Sequence, residues 1–526
     1  MDLLIKNATI VDGTGSEPYF GGLAVDGERI AAVWRDGEDA PTEAATVIDA
    51  GGRAVTPGFI DLHSHADFTI HGAPAAETQL HQGVTTALAG NCGSTPFPAK
   101  SVDVVATNHS HLDPRFAGEW QDLAGYRDVT SGIGPGINLA LQVGLTSIRS
   151  FVVGFEERPA SPQELDAMRD EIRRAAEQGA RGFSSGLIYA PGSYSSEQEM
   201  RALVGAAAEA GLLYSTHMRN ETGAVLEAVD EALGVAEATG ARLEISHLKA
   251  MGPENHGKPR QALEMIEAAR ERGVDVMADV YPYTASSTTL TSRLPGWALS
   301  GGKPALLERL RDASVRREIA TTLAARFGRD VDPAGVVIAE LGRPTSDTSM
   351  GWTVGMSLVD IAEHDDCTPE EAAMRVLGAH SATVAIVNHA MSEDDVRTVL
   401  AHPLVSVASD GWVLTTEGAG RPHPRSFGTF VRVLERYVRD EGLLTLQEAI
   451  RKMTSLPASR LGLDDRGVLD VGNIADVVVL DAANVREHAT FEDPKQLATG
   501  VSHVILGGGL ALVDGEVTPD RFGRIL

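Results

Sequence analysis

The sequence contains very few cysteines, only Cys92 and Cys367 among 526 residues. A secreted protein built on disulfide bonds needs several pairs, so this scarcity argues against that class and favours a reducing cytosol. Long apolar runs are also missing, because no stretch approaches the roughly 18–20 apolar residues of a membrane span. The first residues break at Gly13 without the apolar segment of a secretory signal. We therefore predict a cytoplasmic protein.

Basic residues are outnumbered, since 45 Lys and Arg stand against 73 Asp and Glu and give a formal net charge of −28. Nucleic acids and anionic membranes are bound by basic patches, so this excess of acid disfavours both as partners. The hydrophobic share of 43% and the charged share of 22% are ordinary for a globular chain that can bury a large core. The oligomeric state stays open.

The two ends of the chain both read as short strands and turns. Residues 1–56 contain several apolar runs closed by Asp-Gly pairs, and residues 463–526 contain the apolar runs Val477–Leu480 and Val501–Leu506. Neither block is large enough to form a comfortable domain alone. We therefore predict one small β-sandwich domain made from both ends, with the middle of the chain inserted between them.

The middle, residues 57–462, alternates short apolar strands with helical stretches, which is typical of a (β/α)₈ barrel. A helix is predicted at Ser161–Gln178, because Ser-Pro begins it and Gly179 ends it. Residues 298–350 interrupt the alternation and are predicted to form an insertion over the barrel mouth. The predicted fold is therefore α/β, a distorted TIM barrel with an added β domain. The other helices are predicted at Ser196–Ala210, Thr222–Thr239, Lys258–Arg272 and Thr368–Leu377.

A pair of histidines ends the first apolar run of the predicted barrel. His63 and His65 are two positions apart, so on a strand their imidazoles point to the same side. Two imidazoles that point to the same side can supply two of the ligands of a metal site. The same tripeptide recurs at His109 and His111, but in a polar stretch, and we interpret that second pair as a surface loop.

Four more polar residues close apolar strands in the same way: Cys92, His217, His247 and Asp410. Taken singly, each has an ordinary explanation, since a lone buried histidine or cysteine is more often a core residue and Asp-Gly is most often a turn. Taken together, four histidines, one cysteine and one aspartate at strand ends suit Zn²⁺, which prefers nitrogen and sulfur ligands. Asp410 is the natural general base for a water activated at such a site.

The motifs that contain these residues, with several others, resemble those of the amidohydrolase superfamily, and more narrowly those of the N-acyl-D-amino-acid deacylases (D-aminoacylases). The resemblance covers nearly the whole chain. Its most specific segments are PGFIDLHSHAD (57–67), QGVTTALAGNCG (82–93), GFSSGLIYAPG (182–192), STHMRNE (215–221), EISHLKAMG (244–252), DVYPYTASST (279–288), ASDGW (408–412), HPRSFGTFVRVL (423–434) and RGVLDVGNIADVVVLD (466–481).

The resemblance implies a fold that agrees with the one predicted above, and a metal centre. One tight zinc is expected on Cys92, His217 and His247. A second, weaker position is expected at His63 and His65, with Cys92 able to bridge the two and Asp410 at the same site. The thiolate takes the place of a carbamylated lysine found elsewhere in the superfamily. Asp410 is expected to act first as base and then as acid.

The resemblance also implies a substrate and the residues that bind it. The substrate would be an N-acyl-D-amino acid, or a dipeptide-like compound ending in a D-residue, hydrolysed at its linear amide bond. Tyr189 is expected to polarise the scissile carbonyl. Of the two neighbouring tyrosines, Tyr281 is preferred over Tyr283 as the one that contacts the α-carboxylate of the substrate. The alternative for Lys249 and Arg293 is that they are solvated surface charges with no role in binding. The residues expected to bind the α-carboxylate are Lys249, Tyr281, Ser287 and Arg293.

Two departures from the family pattern stand out. Leu145 replaces a histidine that relatives commonly carry on a barrel loop, which leaves substrate identity open, and Leu506-Gly507-Gly508 replaces a Val-Asn-Gly in the β domain. No role is assigned to His423 or Arg425. Two alternatives to the deacylase remain. A cyclic-amide hydrolase of the dihydropyrimidinase type would need a bridging lysine, and a non-catalytic scaffold of the same fold should have lost ligands.

Overall fold

In the computed structural model, which describes residues 1–345 and 350–526, the middle of the chain forms an eight-stranded parallel barrel. Strand 8 returns to strand 1, where the Asp410 amide donates to the His63 carbonyl over 2.7 Å and the His65 amide to the Gly411 carbonyl over 2.8 Å. The predicted TIM barrel is confirmed. Barrel strands 1 to 8, in chain order, are Phe59–Ser64, Val84–Ala89, Asn138–Gly144, Gly182–Gly186, Leu213–His217, Leu243–Ile245, Val276–Val280 and Val405–Val407.

Helices follow the barrel strands and pack on their outer faces. The helix predicted from Ser161 begins with a capping box, in which Ser161 and Glu164 bond each other's backbone amides. The apolar core between helices and strands is continuous around the barrel. The barrel helices are Ala66–Thr69, Glu77–Leu80, Val102–Asn108, Leu123–Ile133, Leu145–Val152, Pro162–Glu177, Glu197–Glu209, Val225–Thr239, Lys258–Glu271, Glu393–Ala401, Arg425–Arg432, Val433–Asp440 (a π-helix), Leu446–Met453 and Ser455–Leu461.

An additional unit lies between barrel strands 7 and 8 and has its own antiparallel sheet and apolar core. It extends beyond the predicted limits of 298–350 on both sides, and its helix Pro369–Ala379 was expected to belong to the barrel. The predicted insertion also includes 346–349, which lie outside the described residues. Its strands are Ala285–Thr289, Val336–Leu341 and Val384–His389, and its helices are Gly296–Leu299, Gly302–Arg309, Ala313–Arg326, Leu358–His364 and Pro369–Ala379.

The two chain ends meet in one nine-stranded sheet, as expected for a β domain made from both. The connection is antiparallel pairing of Ala54–Pro57 with Val477–Leu480. The exact residue limits of the domains stay predictions. Among the helices of residues 1–345 and 350–526, none combines the length and the apolar character that a membrane span needs. The strands of this sheet are Leu3–Ile10, Tyr19–Asp26, Arg29–Arg35, Thr46–Asp49, Ala54–Pro57, Val477–Leu480, Val501–Leu506, Gly509–Val513 and Glu516–Val517.

Candidate active site

The polar residues at the barrel strand ends converge on one buried cluster. The Cys92 Sγ lies 3.3 Å from the Nε2 of His63 and 3.5 Å from the Nε2 of His247. Two overlapping ligand groups share this sulfur, and within each group the potential ligand atoms lie within 4.8 Å of one another. One group is Cys92, His217 and His247, and the other is His63, His65, Cys92 and Asp410.

Three cluster residues have a left-handed backbone, although none is glycine. The φ angles are 55° at Cys92, 38° at His247 and 50° at Asp410. This conformation costs a side-chain-bearing residue about 1–3 kcal/mol, and it persists only where the surrounding structure enforces it. Each residue comes just after a barrel strand, so the turn aims its side chain across the barrel mouth toward the others.

The chemistry of the cluster fits a zinc ion. The His217 ring is buried; its Nε2 lies 3.2 Å from a Glu221 oxygen, whereas its Nδ1 has no hydrogen-bond partner among residues 1–345 and 350–526, which leaves that nitrogen available for a metal. Burial by itself raises the pKa of the Cys92 thiol, but His63 and His247 outweigh it and hold that pKa well below its usual range. A thiolate with two imidazoles is a donor set that zinc prefers.

Asp279 supports the cluster from beneath, at the end of barrel strand 7. Its carboxylate accepts a hydrogen bond from the His247 amide over 2.7 Å, and its other oxygen lies 3.3 Å from the Nδ1 of His63. A carboxylate on the remote nitrogen of an imidazole fixes both its tautomer and its orientation. The Nε2 of His63 is therefore directed toward the Cys92 sulfur.

Glu221 is a second supporting carboxylate, and the sequence reasoning assigned it no role. Its oxygens lie 3.2 Å from the His217 Nε2, 3.1 Å from the His247 Nδ1 and 2.5 Å from the Lys249 Nζ. The side chain is buried, which raises its pKa, but the charges of His217 and Lys249 hold that pKa well below its usual range. Glu221 therefore stands ionised behind two of the expected zinc ligands.

Arg425 is the second residue whose role the sequence did not reveal. Its Nη1 donates to the Asp410 Oδ2 over 2.7 Å, and both side chains are buried. Its Nη2 donates to the carbonyl oxygen of Ser287 over 3.3 Å. Burial raises the pKa of Asp410, but the guanidinium and the charge on His63 hold that pKa well below its usual range.

A cavity of about 740 Å³ opens in front of the cluster. Four of the residues predicted to bind substrate line it: Tyr189, Lys249, Ser287 and Arg293. Arg293 is 5% exposed, and no carboxylate of the described residues lies within ion-pair distance of its guanidinium. Burial and the neighbouring Arg326 lower its pKa to about 10, which keeps it cationic at neutral pH. Arg293 is thus a buried cation rather than a surface charge.

Two other residues predicted to bind the substrate carboxylate, Lys249 and Tyr281, are less freely available to a ligand in the cavity. The Lys249 ammonium lines the cavity but is already paired with Glu221. Tyr281 does not line the cavity; its ring lies 5.6 Å from the Lys249 Nζ and 4.9 Å from the Arg425 guanidinium. The alternative, Tyr283, does not line the cavity either, and its hydroxyl donates to Glu487. A substrate contact by Tyr281 stays a prediction.

The second histidine pair is not in a surface loop, and that interpretation was wrong. His109 follows the helix Val102–Asn108, His111 lies in the short 3₁₀ helix Ser110–Leu112, and both line the cavity. The His109 ring lies 4.2 Å from the ring of Phe68. Phe68 is distant in sequence from His109, so the polar sequence neighbours of this partly buried pair were misleading.

Leu145 fills the position of the missing histidine. It is the first residue of the helix Leu145–Val152, is fully buried and does not line the cavity, whereas the next residues, Thr146 and Ser147, do. The replacement therefore adds an apolar side chain to the core rather than a polar group to the cavity.

Comparison with known proteins agrees with this architecture. The amidohydrolase family model matches residues 46–132 and 153–511. An N-acyl-D-glutamate deacylase of Alcaligenes xylosoxydans xylosoxydans is 36% identical over 534 residues, covering 100% of this chain and 96% of that protein. Among solved structures, the N-acyl-D-glutamate deacylase of Bordetella bronchiseptica, complexed with zinc and a phosphonate mimic of the tetrahedral intermediate, superposes with a TM-score of 0.83 at 34% identity. The superposition covers 100% of this chain and 99% of that one.

A D-aminoacylase structure is similar at 30% identity and a TM-score of 0.81, with 100% of this chain and 99% of that one covered. It was solved in work on a binuclear metal centre with one-metal activation and second-metal attenuation. The two ligand groups around Cys92 are compatible with such a centre.

Proposed function

Because this chain belongs to the amidohydrolase family, we propose that it is a zinc-dependent hydrolase of N-acyl-D-amino acids, or of dipeptide-like compounds ending in a D-residue. It would release a carboxylate and a free D-amino acid. One observation carries the proposal: the buried Cys92, His217 and His247 group opens onto the same cavity as Arg293, a buried cation without a carboxylate partner among the described residues. A metal-binding group and a carboxylate anchor in one cavity are what such a substrate requires.

Cys92, His217 and His247 would hold a tight zinc, and His63 and His65, with Cys92 and Asp410, would frame a weaker site. When bound, zinc polarises the scissile carbonyl and lowers the pKa of water to about 7. In the protein without metal, burial lowers the pKa of His217, but Glu221 and Cys92 outweigh it and raise that pKa to about 9. The His217 imidazole would therefore have to lose a proton before it could hold zinc at neutral pH.

Asp410 would carry the proton during the reaction. Its Oδ2 is held by Arg425, while its Oδ1 lies 3.0 Å from the His65 Nε2 and faces the cluster. Oδ1 is therefore the oxygen that would accept a proton from the attacking water. It would then pass that proton to the leaving nitrogen as the amide bond breaks, since a general base becomes a general acid in the second step.

Arg293 would anchor the α-carboxylate of the substrate, with Ser287, Lys249 and Tyr281 around it. A guanidinium can bind a carboxylate through two parallel hydrogen bonds, which fixes the position as well as the charge. Tyr189 would assist at the carbonyl: its ring lies 5.0 Å from that of His217, and its hydroxyl is 2.8 Å from the Thr288 hydroxyl. With both the carboxylate and the scissile amide held in place, the side chain on Cα would point in different directions in the D and L enantiomers, so the site could distinguish them.

The test is a metal analysis joined to an enantiomer screen. Purified protein should contain about one tightly bound zinc per chain, and N-acetyl-, N-formyl- and N-succinyl-D-amino acids should be hydrolysed while their L enantiomers are not. L-Xaa-D-Xaa dipeptides complete the panel. Active protein without metal would refute the mechanism, and a preference for L substrates would refute the substrate class.

Asp410→Asn separates the proposed enzyme from a non-catalytic scaffold. The variant should keep its zinc but lose two or more orders of magnitude in turnover, in line with what general-base catalysis contributes. Asp464→Asn is the matched control, because that aspartate is exposed and does not line the cavity. A cyclic-amide hydrolase would instead hydrolyse dihydropyrimidines or hydantoins, which serve as a further substrate panel.

We also propose a cytoplasmic location and a small molecule as the partner. Both cysteines are free, and a reducing compartment would keep the Cys92 thiolate available for zinc.

A further inference from the structure

The cavity continues beyond the metal cluster along an aromatic wall. The Trp412 ring centroid lies 4.8 Å from that of His65 and 6.3 Å from that of Phe68, and Phe68 in turn lies 4.2 Å from His109. All four side chains line the cavity. The wall therefore leads from a proposed metal ligand to the helix Val102–Asn108 and the turn after it.

A lysine without a carboxylate partner stands at the other end of this wall. The Lys303 Nζ donates to the carbonyl oxygen of Asn108 and, over 2.8 Å, to the Thr383 hydroxyl. Lys303 lines the cavity, and no acidic side chain of the described chain lies within ion-pair distance of it. Its ammonium thus has only neutral partners, and a third donor position is available to a ligand.

His111 adds a second donor at the same place. It lines the cavity, and its Nδ1 is buried without a hydrogen-bond partner among the described residues. Lys303 lies close enough to both His109 and His111 to disfavour their cationic forms. A neutral imidazole can still carry its proton on Nδ1 and donate it. A buried donor left unpaired is costly, so this end of the cavity is suited to an acceptor.

The wall leaves the cluster at a different histidine from those that Lys249 and Tyr189 contact. Lys249 is 2.9 Å from the His247 Nδ1, and Tyr189 packs on His217, whereas the wall begins at His65. The two substituents of an amide extend in opposite directions from the scissile bond. With the amino-acid part on the His217 and His247 side, the acyl part points along the wall.

We propose that Lys303, His111 and Thr383 form a second carboxylate subsite, which receives the free carboxylate of a dicarboxylic acyl group on the substrate. This rests on the function proposed above. The reaction is the same hydrolysis: water adds to the amide carbonyl, the C–N bond breaks, and the products are a dicarboxylic acid and the D-amino acid, whose nitrogen takes the proton. An acetyl group ends one carbon beyond the carbonyl and carries no second carboxylate for this subsite.

The test compares two acyl groups of equal length that differ only in the terminal carboxylate. N-glutaryl-D-leucine and N-pentanoyl-D-leucine are assayed with wild type, Lys303→Met and Lys303→Arg. Wild type should prefer the glutaryl substrate in kcat/KM, Lys303→Met should lower the glutaryl-to-pentanoyl ratio at least ten-fold, and Lys303→Arg should keep most of it. The matched control is Lys100→Met, because Lys100 also lines the cavity but is exposed, and its ratio should match wild type.

A binding measurement covers the case in which Lys303→Met does not fold. Glutarate should inhibit wild-type hydrolysis of an N-acetyl-D-amino acid at least ten-fold more strongly than pentanoate does. Equal inhibition, or an unchanged ratio in Lys303→Met, overturns the subsite while leaving the deacylase intact. Absence of hydrolysis of every N-acyl-D-amino acid overturns the proposed function itself.

A second substrate pair distinguishes the acyl group from the D-residue side chain as the source of the carboxylate. N-acetyl-D-glutamate and N-acetyl-D-glutamine differ only in the side-chain charge. Their kcat/KM ratio should be the same in wild type and Lys303→Met. A ten-fold loss of the glutamate preference in Lys303→Met, with no change in the glutaryl-to-pentanoyl ratio, would overturn the assignment to the acyl side.

Discussion

The Arg425 Nη1 lies 2.7 Å from the Asp410 Oδ2, and both residues are buried at the mouth of the barrel. This pair leaves one carboxylate oxygen fixed and the other facing the metal cluster. Arg425 also donates to the Ser287 carbonyl, so it connects the proposed base to the strand Ala285–Thr289, which carries one proposed substrate-binding residue, Ser287. We infer that Arg425 is a positioning residue for Asp410.

Arg425→Met should therefore lower kcat by about ten- to a hundred-fold, a part of what general acid–base catalysis supplies, while zinc content stays at the wild-type level. The loss follows because a buried carboxylate without its guanidinium partner is no longer held ionised in one orientation. Arg421→Met is the control, since Arg421 is exposed and lies four residues before Arg425, ahead of the helix that Arg425 begins. Metal analysis and steady-state kinetics decide the matter, and a wild-type kcat would show that Asp410 needs no support from Arg425.

Much of this architecture could be predicted from the sequence, for physical reasons. The barrel strands are short apolar runs, and the surrounding helices carry local signals such as Ser161 with Pro162, so periodicity and caps were sufficient. The predicted metal ligands each follow an apolar strand. Because parallel barrel strands end at one face, their convergence was predictable without knowing any distance.

The remaining features depend on contacts between distant parts of the chain. Glu221 lies four residues after His217, a spacing with many explanations, and only the approach of Lys249 reveals its role. Likewise, the cavity position of His111 depends on the insertion folding back over it through Lys303 and Thr383. No local pattern encodes such approaches.

Glu221→Gln should weaken zinc binding by about 10- to 100-fold, as the loss of a supporting carboxylate typically does. The glutamine keeps the shape of Glu221 but removes the negative charge beside His217, His247 and Lys249. Glu227→Gln, an exposed position on the next helix, is the control. Competition with a chelator gives the zinc affinity directly, and equal affinities in the two variants would contradict a supporting role.

Cys92→Ala and His63→Ala should separate the two proposed metal positions. Cys92 belongs to both ligand groups, so its loss should remove tight zinc and activity together. His63 belongs only to the group with His65 and Asp410, so His63→Ala should reduce activity more than it reduces tight zinc. Zinc per chain and kcat are measured on the same preparations. Normal zinc content in Cys92→Ala would exclude the sulfur from the site.

Arg293→Met should raise KM for N-acetyl-D-amino acids by at least ten-fold, because the substrate carboxylate would enter a buried space without its cation. Arg326→Met tests whether any nearby cation suffices, since Arg326 is partly buried and donates to the Arg293 carbonyl without lining the cavity. For an N-acetyl-D-amino amide, which lacks the carboxylate, the same Arg293→Met substitution should raise KM much less. Equal losses for acid and amide would mean that Arg293 acts on folding rather than on the carboxylate.

The preference for a dicarboxylic acyl group should fall as the pH rises from 7 to 9. Burial lowers the pKa of Lys303 to about 8, so the ammonium is charged below that value and neutral above it, and a neutral amine holds a carboxylate weakly. The titratable groups around it are His109 and His111, whose pKa values burial keeps below the working range, and Glu340, which lines the same cavity.

Glu340 changes the same preference in the same direction. Burial raises its pKa to about 7, so it gains negative charge over this interval and repels the incoming carboxylate. The glutaryl-to-pentanoyl ratio of kcat/KM cancels the titration of the catalytic groups, which both substrates share. Measured at pH 7, 8 and 9, the ratio should decline in wild type, and only the part of the decline due to Glu340 should remain in Lys303→Met. A ratio independent of pH in wild type would contradict a role for the Lys303 ammonium.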